Sequence, residues 1–508
     1  MEDPKRLILA FVLVMAILFL WQILFLPREP AKKKIESATG AKKQEPALEE
    51  KEEVSLRGDE WTIENSKILV KLSNYGGTIR SVYLKEYKCE LLKNFSYLPL
   101  RVLENERDFR LDTLIWNVDT QSKRLTFWIP VASPRGEKEG KSVFYRHYWL
   151  EDDYKLFSEI EYKDISQAFA QVYPESMRTC FVLSFDRGLA FTEEDTNEEY
   201  NHFRILLKKD KALREIPMRR LKGLVKERGD WDWFGFTTKY FLMVVKGSFD
   251  SLYFSSSANR KLKNNFFPSV GEKVQFSLGF YPLKYKLLAQ RGEGLEKAIP
   301  LGWPKFLSLG ILQLLLFLYS ILKNYGVVII VFSFLMKGIL FPLTRFQLRE
   351  MKKLQQLQPK LEELKRKYKD DPKTLNQEAM RLYSIHRMNP LSGCLPLLAQ
   401  IPIFWALYSV LRSTFELRRA GFIFWLKDLS QKDPFYLLPI LMGGSFLFQN
   451  LLTTQDKKNI FMTIFFPVFL TVIFLKFPSG LQLYWLTFNL LSLVESFIVQ
   501  RGGKKWKK

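Results

Sequence analysis

Six apolar blocks, each about the length needed to cross a hydrocarbon layer, constrain this 508-residue chain more than any other feature. Residues 7–26, LILAFVLVMAILFLWQILFL, carry no charge and match a bilayer core of about 30 Å. Five more blocks crowd the C-terminal part, at 325–344, 392–413, 435–452, 460–476 and 480–500. Between the first block and these five, residues 58–290 offer no segment that would span.

A cleaved signal peptide is the alternative for 7–26. Its apolar region would be long, and PREPAKKK follows instead of a small-x-small site. An uncleaved signal anchor is expected, with a cytoplasmic stub at 1–6 and a flexible Lys-, Glu-, Ala- and Pro-rich linker at 27–57. In 58–290, alternation such as KILVKLSNYGGTIRSVYL and the Gly76-Gly77 turn predict strands, hence a large exported all-β sandwich domain. The three cysteines, Cys89, Cys180 and Cys394, are too few for a disulfide scaffold. A Cys89–Cys180 bridge stays open if this region is exported.

The stretch 291–324 ends in WPKFLSLGILQLLLFLYSILKN. Lys305, Ser308, Gln313, Tyr319, Ser320 and Lys323 fall on one arc of a helical wheel, which predicts an interfacial amphipathic helix anchored by Trp303. If that helix does not span, 345–391 lies on the cytoplasmic side with 12 Lys/Arg against 6 Asp/Glu, as does the tail 501–508 with five basic residues. The loops 414–434 and 453–459 then fall outside and inside. This placement explains the formal charge of +23 as a membrane-topology signal; the rival cause, nucleic acid, loses ground, and no DNA partner is expected.

In 345–391, Leu354, Leu357, Leu361, Leu364 and Tyr368 repeat at 3-4 spacing, and Asp371-Pro372 reads as a helix start. A cytoplasmic coiled-coil hairpin follows, with Lys360, Lys365, Arg366 and Lys367 on its outer face. Those cations suit ribosomal RNA, anionic lipid or acidic partners, or simply water.

No site for reaction chemistry emerges. GEKEGKS at 136–142 is one residue short of a phosphate-binding loop and sits among predicted strands. His147, His202 and His386 are far apart and read as structural or surface groups. No cofactor or metal site is expected, nor an enzyme. Polar residues recur instead inside the spans: Ser333, Lys337 and Thr344 in one, Gln400 in another, and Gln482, Thr487, Asn489, Ser492 and Glu495 in the last. Such density predicts a shared hydrophilic pocket, with ordinary interhelical hydrogen bonding as the alternative. Lys337 sits five residues before Pro342, within snorkelling reach of the cytoplasmic headgroups.

The stretches KGILFPLT, LQPKLEELKRKY, NPLSGCLPLLAQIPIFWALY, DPFYLLPILMG and FPSGLQLYW, in this order, resemble the YidC/Oxa/Alb superfamily of membrane protein insertases, in its Gram-negative six-span form. That resemblance implies five core spans plus an anchor, a periplasmic β-supersandwich, and a bacterial inner-membrane location. It implies insertion of nascent membrane proteins through a groove open to cytoplasm and lipid, without ATP. Its expected partners are the substrates, the Sec translocon, ribosome or targeting factors, and membrane lipids. Groove residues carried over are Lys337, Ser333, Gln400, Tyr484, Trp485, Asn489 and Glu495. Most members have Arg where Lys337 stands; Ser333 and Trp485 replace Thr and Tyr. Lys337 and Glu495 lie at matched depth in parallel spans, so Glu495 is expected to restrain Lys337 until substrate displaces it. Two rivals remain: a solute transporter or channel, although no internal repeat of spans is visible, and a membrane-anchored carbohydrate-acting enzyme needing paired carboxylates.

Overall fold

The computed structural model describes residues 58–502, apart from 94–96, 105–106, 121–123, 133–140, 152, 164–179, 186–188, 194–195, 222, 257–261, 269–272, 370, 387–394 and 454–463. The expected anchor and linker, most of the GEKEGKS stretch, Cys394, most of the loop 453–459 and most of the basic tail therefore lie outside the described residues. So does the side chain of Cys180. The chain divides into two compact units, one ending at Ala298 and the other beginning, for its described part, at Ile299.

The first unit is mostly β. Its strands form sheets of four, nine and six strands, a three-sheet arrangement where the sequence suggested a plain sandwich. Alternation drives it: in Leu262–Pro268, Leu262, Asn264 and Phe266 are buried while Lys263 is exposed. The expected hairpin turn joins Ile68–Ser73 to the antiparallel Thr78–Leu84. Gly76 and Gly77 both have positive φ there, and a Cβ on Gly76 would come within 2.6 Å of the Asp112 carbonyl oxygen. The nine- and six-stranded sheets meet through rings. The ring of Phe234, in Trp233–Thr237, lies 4.6 Å from that of Phe266 in a tilted contact, and Phe249 lies 5.1 Å from Phe234. Rings of this size dominate such a core by area alone.

The second unit is helical: α1 (Lys305–Leu322), α2 (Tyr325–Lys367), α3 (Pro372–Ile385), α4 (Leu395–Ser413), α5 (Leu437–Thr453), α6 (Phe466–Phe474) and α7 (Ser479–Gly502). Among the described residues α1 and the first part of α2, Tyr325–Gln347, are long and apolar enough to cross a membrane, and Leu437–Leu451 is a shorter apolar helix. α1 packs on α4 and α2 through Ser308, Ile311, Leu312, Leu315 and Leu318, leaving Phe306, Phe317 and Ile321 exposed. Ser308, assigned to the polar arc from sequence, thus faces protein. Helix–helix packing has overridden the wheel at that position.

α2 is one continuous helix of 43 residues that runs through Pro342 and Pro359. It starts where the Asn324 side chain accepts from Gly326 N and Val327 N. α3 is capped by Asp371, whose Oδ1 accepts from Lys373 N and Thr374 N at 3.1 Å each, with Pro372 in the first turn. α2 and α3 pack together with Leu357, Leu375 and Ala379 buried. At the opposite end, loop atoms satisfy helix termini that would otherwise be unpaired. Asp433 accepts from Phe435 N and Leu438 N at the start of α5, and from the Trp425 indole. Gln482 Nε2 donates to the Phe474 and Phe477 carbonyls, closing the end of α6.

Candidate substrate site in the helical unit

Four polar contacts link the helices that carry the sequence-derived site residues. Lys337 of α2 reaches α7, where its ammonium lies 2.7 Å from Glu495 Oε2 and donates to Ser492 Oγ at 2.9 Å. The same ammonium sits over the Phe488 ring, 4.8 Å from its centroid. Both partners of the ion pair are about nine-tenths buried. The stem therefore runs to a neighbouring helix instead of snorkelling toward a headgroup region. Once the ammonium is buried, the Glu495 carboxylate compensates a charge that would otherwise stand unpaired in an apolar interior.

Gln400 of α4 donates to the Tyr484 hydroxyl at 2.6 Å, both side chains buried. Asn489 donates to Ser445 Oγ of α5 at 3.4 Å. The Lys337 and Gln400 contacts occupy one side of α7. Tyr484, Phe488, Ser492 and Glu495 follow at i, i+4, i+8 and i+11, the spacing of a single helical face. Phe488 lies 5.9 Å from Tyr484, and Phe332 of α2 lies 5.8 Å from the same ring, so the lysine cluster and the glutamine–tyrosine pair are neighbours across aromatic rings.

Ser333 and Trp485 are placed differently. The Ser333 hydroxyl turns back to the Ile329 carbonyl at 2.7 Å in its own helix, as serines inside helices often do. Trp485 packs in a nest with Phe404 at 5.6 Å and Phe474 at 5.3 Å. Lys360, Lys365, Arg366 and Lys367 are all exposed at the end of α2, remote in sequence from the cluster. Phe488 and Ser445 were missed from sequence. The i+4 step from Tyr484 to Phe488 was the available signal for the first; nothing in the run GGSFLF marks the second.

In the β unit, His147, Glu159 and Glu161 bring ligand-type atoms within 4.8 Å of one another. The Lys273 ammonium lies 3.2 Å from Glu161 and 3.9 Å from Glu159, so a protein cation already balances those carboxylates.

Residues 60–314, half of the chain, match the family model described as YidC periplasmic domain, and residues 317–507 match 60Kd inner membrane protein. The chain belongs to the YidC family.

The membrane protein insertase YidC of Geobacter sulfurreducens is 39% identical over 282 residues, covering 53% of each chain. Its counterpart in Geotalea uraniireducens is 29% identical over 543 residues, 98% of this chain and 99% of that one. The chain thus spans about half the length of the first of these relatives and nearly all of the second. A crystal structure of an active YidC insertase with its first transmembrane domain resolved aligns at 21% identity and a TM-score of 0.42, over 86% of this chain and 92% of that one. Family membership makes this an inner-membrane protein with a mostly β periplasmic domain and a helical membrane region. These YidC relatives are named for insertion, not for a reaction.

Proposed function

We propose that this chain is a membrane protein insertase, which moves the polar flank of a nascent membrane protein across the inner membrane while its apolar segment enters lipid. The observation that carries the reading is the buried Lys337–Ser492–Glu495 cluster between α2 and α7, continued by Gln400–Tyr484. A charged side chain crossing bare hydrocarbon costs several kcal/mol. Protein polar groups within the helical unit replace water along part of that path. Lys337, Ser333, Gln400, Tyr484, Trp485, Asn489 and Glu495 form the substrate groove in this reading, and the substrate's apolar segment slides along α4 and α6.

Six spans with both termini in the cytoplasm fit the charge distribution of the loops. α1 then lies along the outer interface, and the α2–α3 hairpin projects into the cytoplasm. Lys360, Lys365, Arg366 and Lys367 on that hairpin attract ribosomes or targeting factors, whose surfaces are anionic, and the periplasmic unit meets the Sec translocon. Membrane lipids complete the partner set.

The test is insertion of a small single-span substrate in cells depleted of their own insertase. This chain should restore insertion, with crosslinks from α4 and α6 to the nascent substrate. Absence of both rescue and crosslinks in a chain that accumulates in the membrane overturns the reading.

A further inference from the structure

The Lys337 ammonium is not an open cation. It lies 2.7 Å from the Glu495 carboxylate as an ion pair and donates to Ser492 Oγ at 2.9 Å, and the Phe488 ring covers another side at 4.8 Å. Ser492 is held as an acceptor, because its own hydroxyl donates to the Phe488 carbonyl at 2.9 Å. Ser492 therefore serves the ammonium and has no proton to offer a carboxylate. The Glu495 contact is an ion pair outside hydrogen-bond angles, and no hydrogen-bond donor among the described residues reaches either carboxylate oxygen. Glu495 thus depends on Lys337 for its compensation. The site as a whole carries a dipole and no net charge.

We infer that Glu495 sets the charge selectivity of this site, holding it neutral so that it accepts polar flanks regardless of sign. This deepens the insertase reading and rests on it. The physical reason is the difference between a monopole and a pair. An uncompensated ammonium in a low-dielectric interior attracts a carboxylate strongly and repels a cation strongly. With a carboxylate 2.7 Å away, the two fields largely cancel a few ångströms further out. An incoming aspartate gains one contact with Lys337 only by weakening the resident one. An incoming amide or hydroxyl loses nothing by comparison, since it bonds either partner without leaving a charge unpaired. An incoming ammonium finds Glu495. Lysine suits such sharing, because its point charge accepts partners from several directions without the planar fork of arginine.

The experiment uses the full chain in insertase-depleted cells. The substrates are three single-span proteins that differ only in two tail residues: Asp, Asn or Lys. The wild-type chain should insert the Asp and Asn tails at rates within about three-fold of each other. Glu495→Gln removes the carboxylate and keeps the shape. It should raise the Asp-to-Asn ratio by about ten-fold, roughly the effect of 1.4 kcal/mol, and depress the Lys tail, which the wild-type chain accepts. Glu495→Asp, one methylene shorter, should move the ratio the same way by less, and it stands in if the Gln variant does not accumulate. A merely structural Glu495 would lower all three tails together and leave the ratio alone. An unchanged or falling ratio, with insertion still measurable, overturns the selectivity role and leaves the insertase reading intact. A well-expressed wild-type chain that inserts none of the tails overturns the insertase reading first, and the selectivity role with it.

Discussion

Each unit buries a cation, and the two are held in opposite ways. Arg146 in the β unit is fully buried on the strand Lys141–Leu150. Its Nη1 donates to the Leu98 carbonyl at 2.7 Å, and the guanidinium lies over the Tyr148 ring at 5.1 Å. Tyr148 in turn donates to the Gly77 carbonyl at 2.9 Å. No carboxylate among the described residues pairs with Arg146, and burial pushes its pKa down against the opposing influence of Tyr148. Lys337 is held by a side-chain carboxylate on another helix. A backbone carbonyl and a wedged ring fix a charge in place. A carboxylate on a separate helix can be exchanged when something polar arrives. The first arrangement builds a core and the second suits a site.

Two substitutions test that contrast most directly. Arg146→Ala leaves a cavity and an orphaned Leu98 carbonyl, together about 4 kcal/mol. The thermal unfolding of the purified chain should shift down accordingly, while molecules folded at permissive temperature insert substrate at the normal rate. Lys337→Leu should do the reverse. In the molecules that accumulate folded in the membrane, insertion should fall on the order of 100-fold, the effect of about 2.7 kcal/mol on a charged crossing. Insertion by folded Arg146→Ala that drops as far as in Lys337→Leu would break the contrast.

How much of this was legible from sequence differs between the units. The helical core was, because apolar blocks bounded by basic loops obey the physics of a single segment in lipid. The Lys337–Glu495 contact was also readable, since parallel spans and equal depth suffice to bring two side chains level. What escaped depends on three-dimensional neighbours. Ser308 belongs to a polar arc by periodicity, yet it faces α4 and α2 because packing there outweighs amphipathicity. Ser333 sits one turn from Lys337, but its hydroxyl prefers its own helix backbone. Trp485, adjacent to Tyr484, packs its ring against Phe404 and Phe474. In the β unit, alternation revealed strands but not the division into sheets of four, nine and six, because register between strands distant in sequence leaves no local mark.

Buried carboxylates repeat the comparison. Glu199 is fully buried on the short helix Thr196–His202, where Oε2 accepts from Thr192 N at 2.7 Å and Glu193 N at 3.0 Å. Burial pushes its carboxyl up to about 7, with the backbone donors pulling the other way. A folded pKa above the unfolded one means the native state holds the proton more tightly. Its contribution is full below the unfolded value near 4.5 and is lost as pH rises through the folded one. The unfolding free energy of the β unit should therefore fall by about 2 kcal/mol between pH 5 and 8, and Glu199→Gln should flatten that slope. Insertion selectivity should not follow it. A slope unchanged in Glu199→Gln would assign the pH dependence to other groups.

Packing within the helical unit supplies the smallest and sharpest test. A Cβ on Gly443 of α5 would fall 1.9 Å from Thr471 Oγ1 of α6. That hydroxyl is tied to the Pro467 carbonyl at 2.8 Å, so it does not yield freely. Small residues allow such close approach between helices, and a methyl there forces them apart. Gly443→Ala should cost about 1 kcal/mol through overpacking, read as a lower unfolding temperature in detergent. Adding Thr471→Ala removes the obstructing group and should restore most of it. Because Lys337 and Glu495 lie on α2 and α7, the ratio of Asp-tail to Asn-tail insertion should stay at its wild-type value in both variants. A ratio that shifts with Gly443→Ala and returns with Thr471→Ala would show that the α5–α6 contact sets the spacing of the ion pair, and that the helical unit works as one coupled body, not as a fixed scaffold around a separable charge.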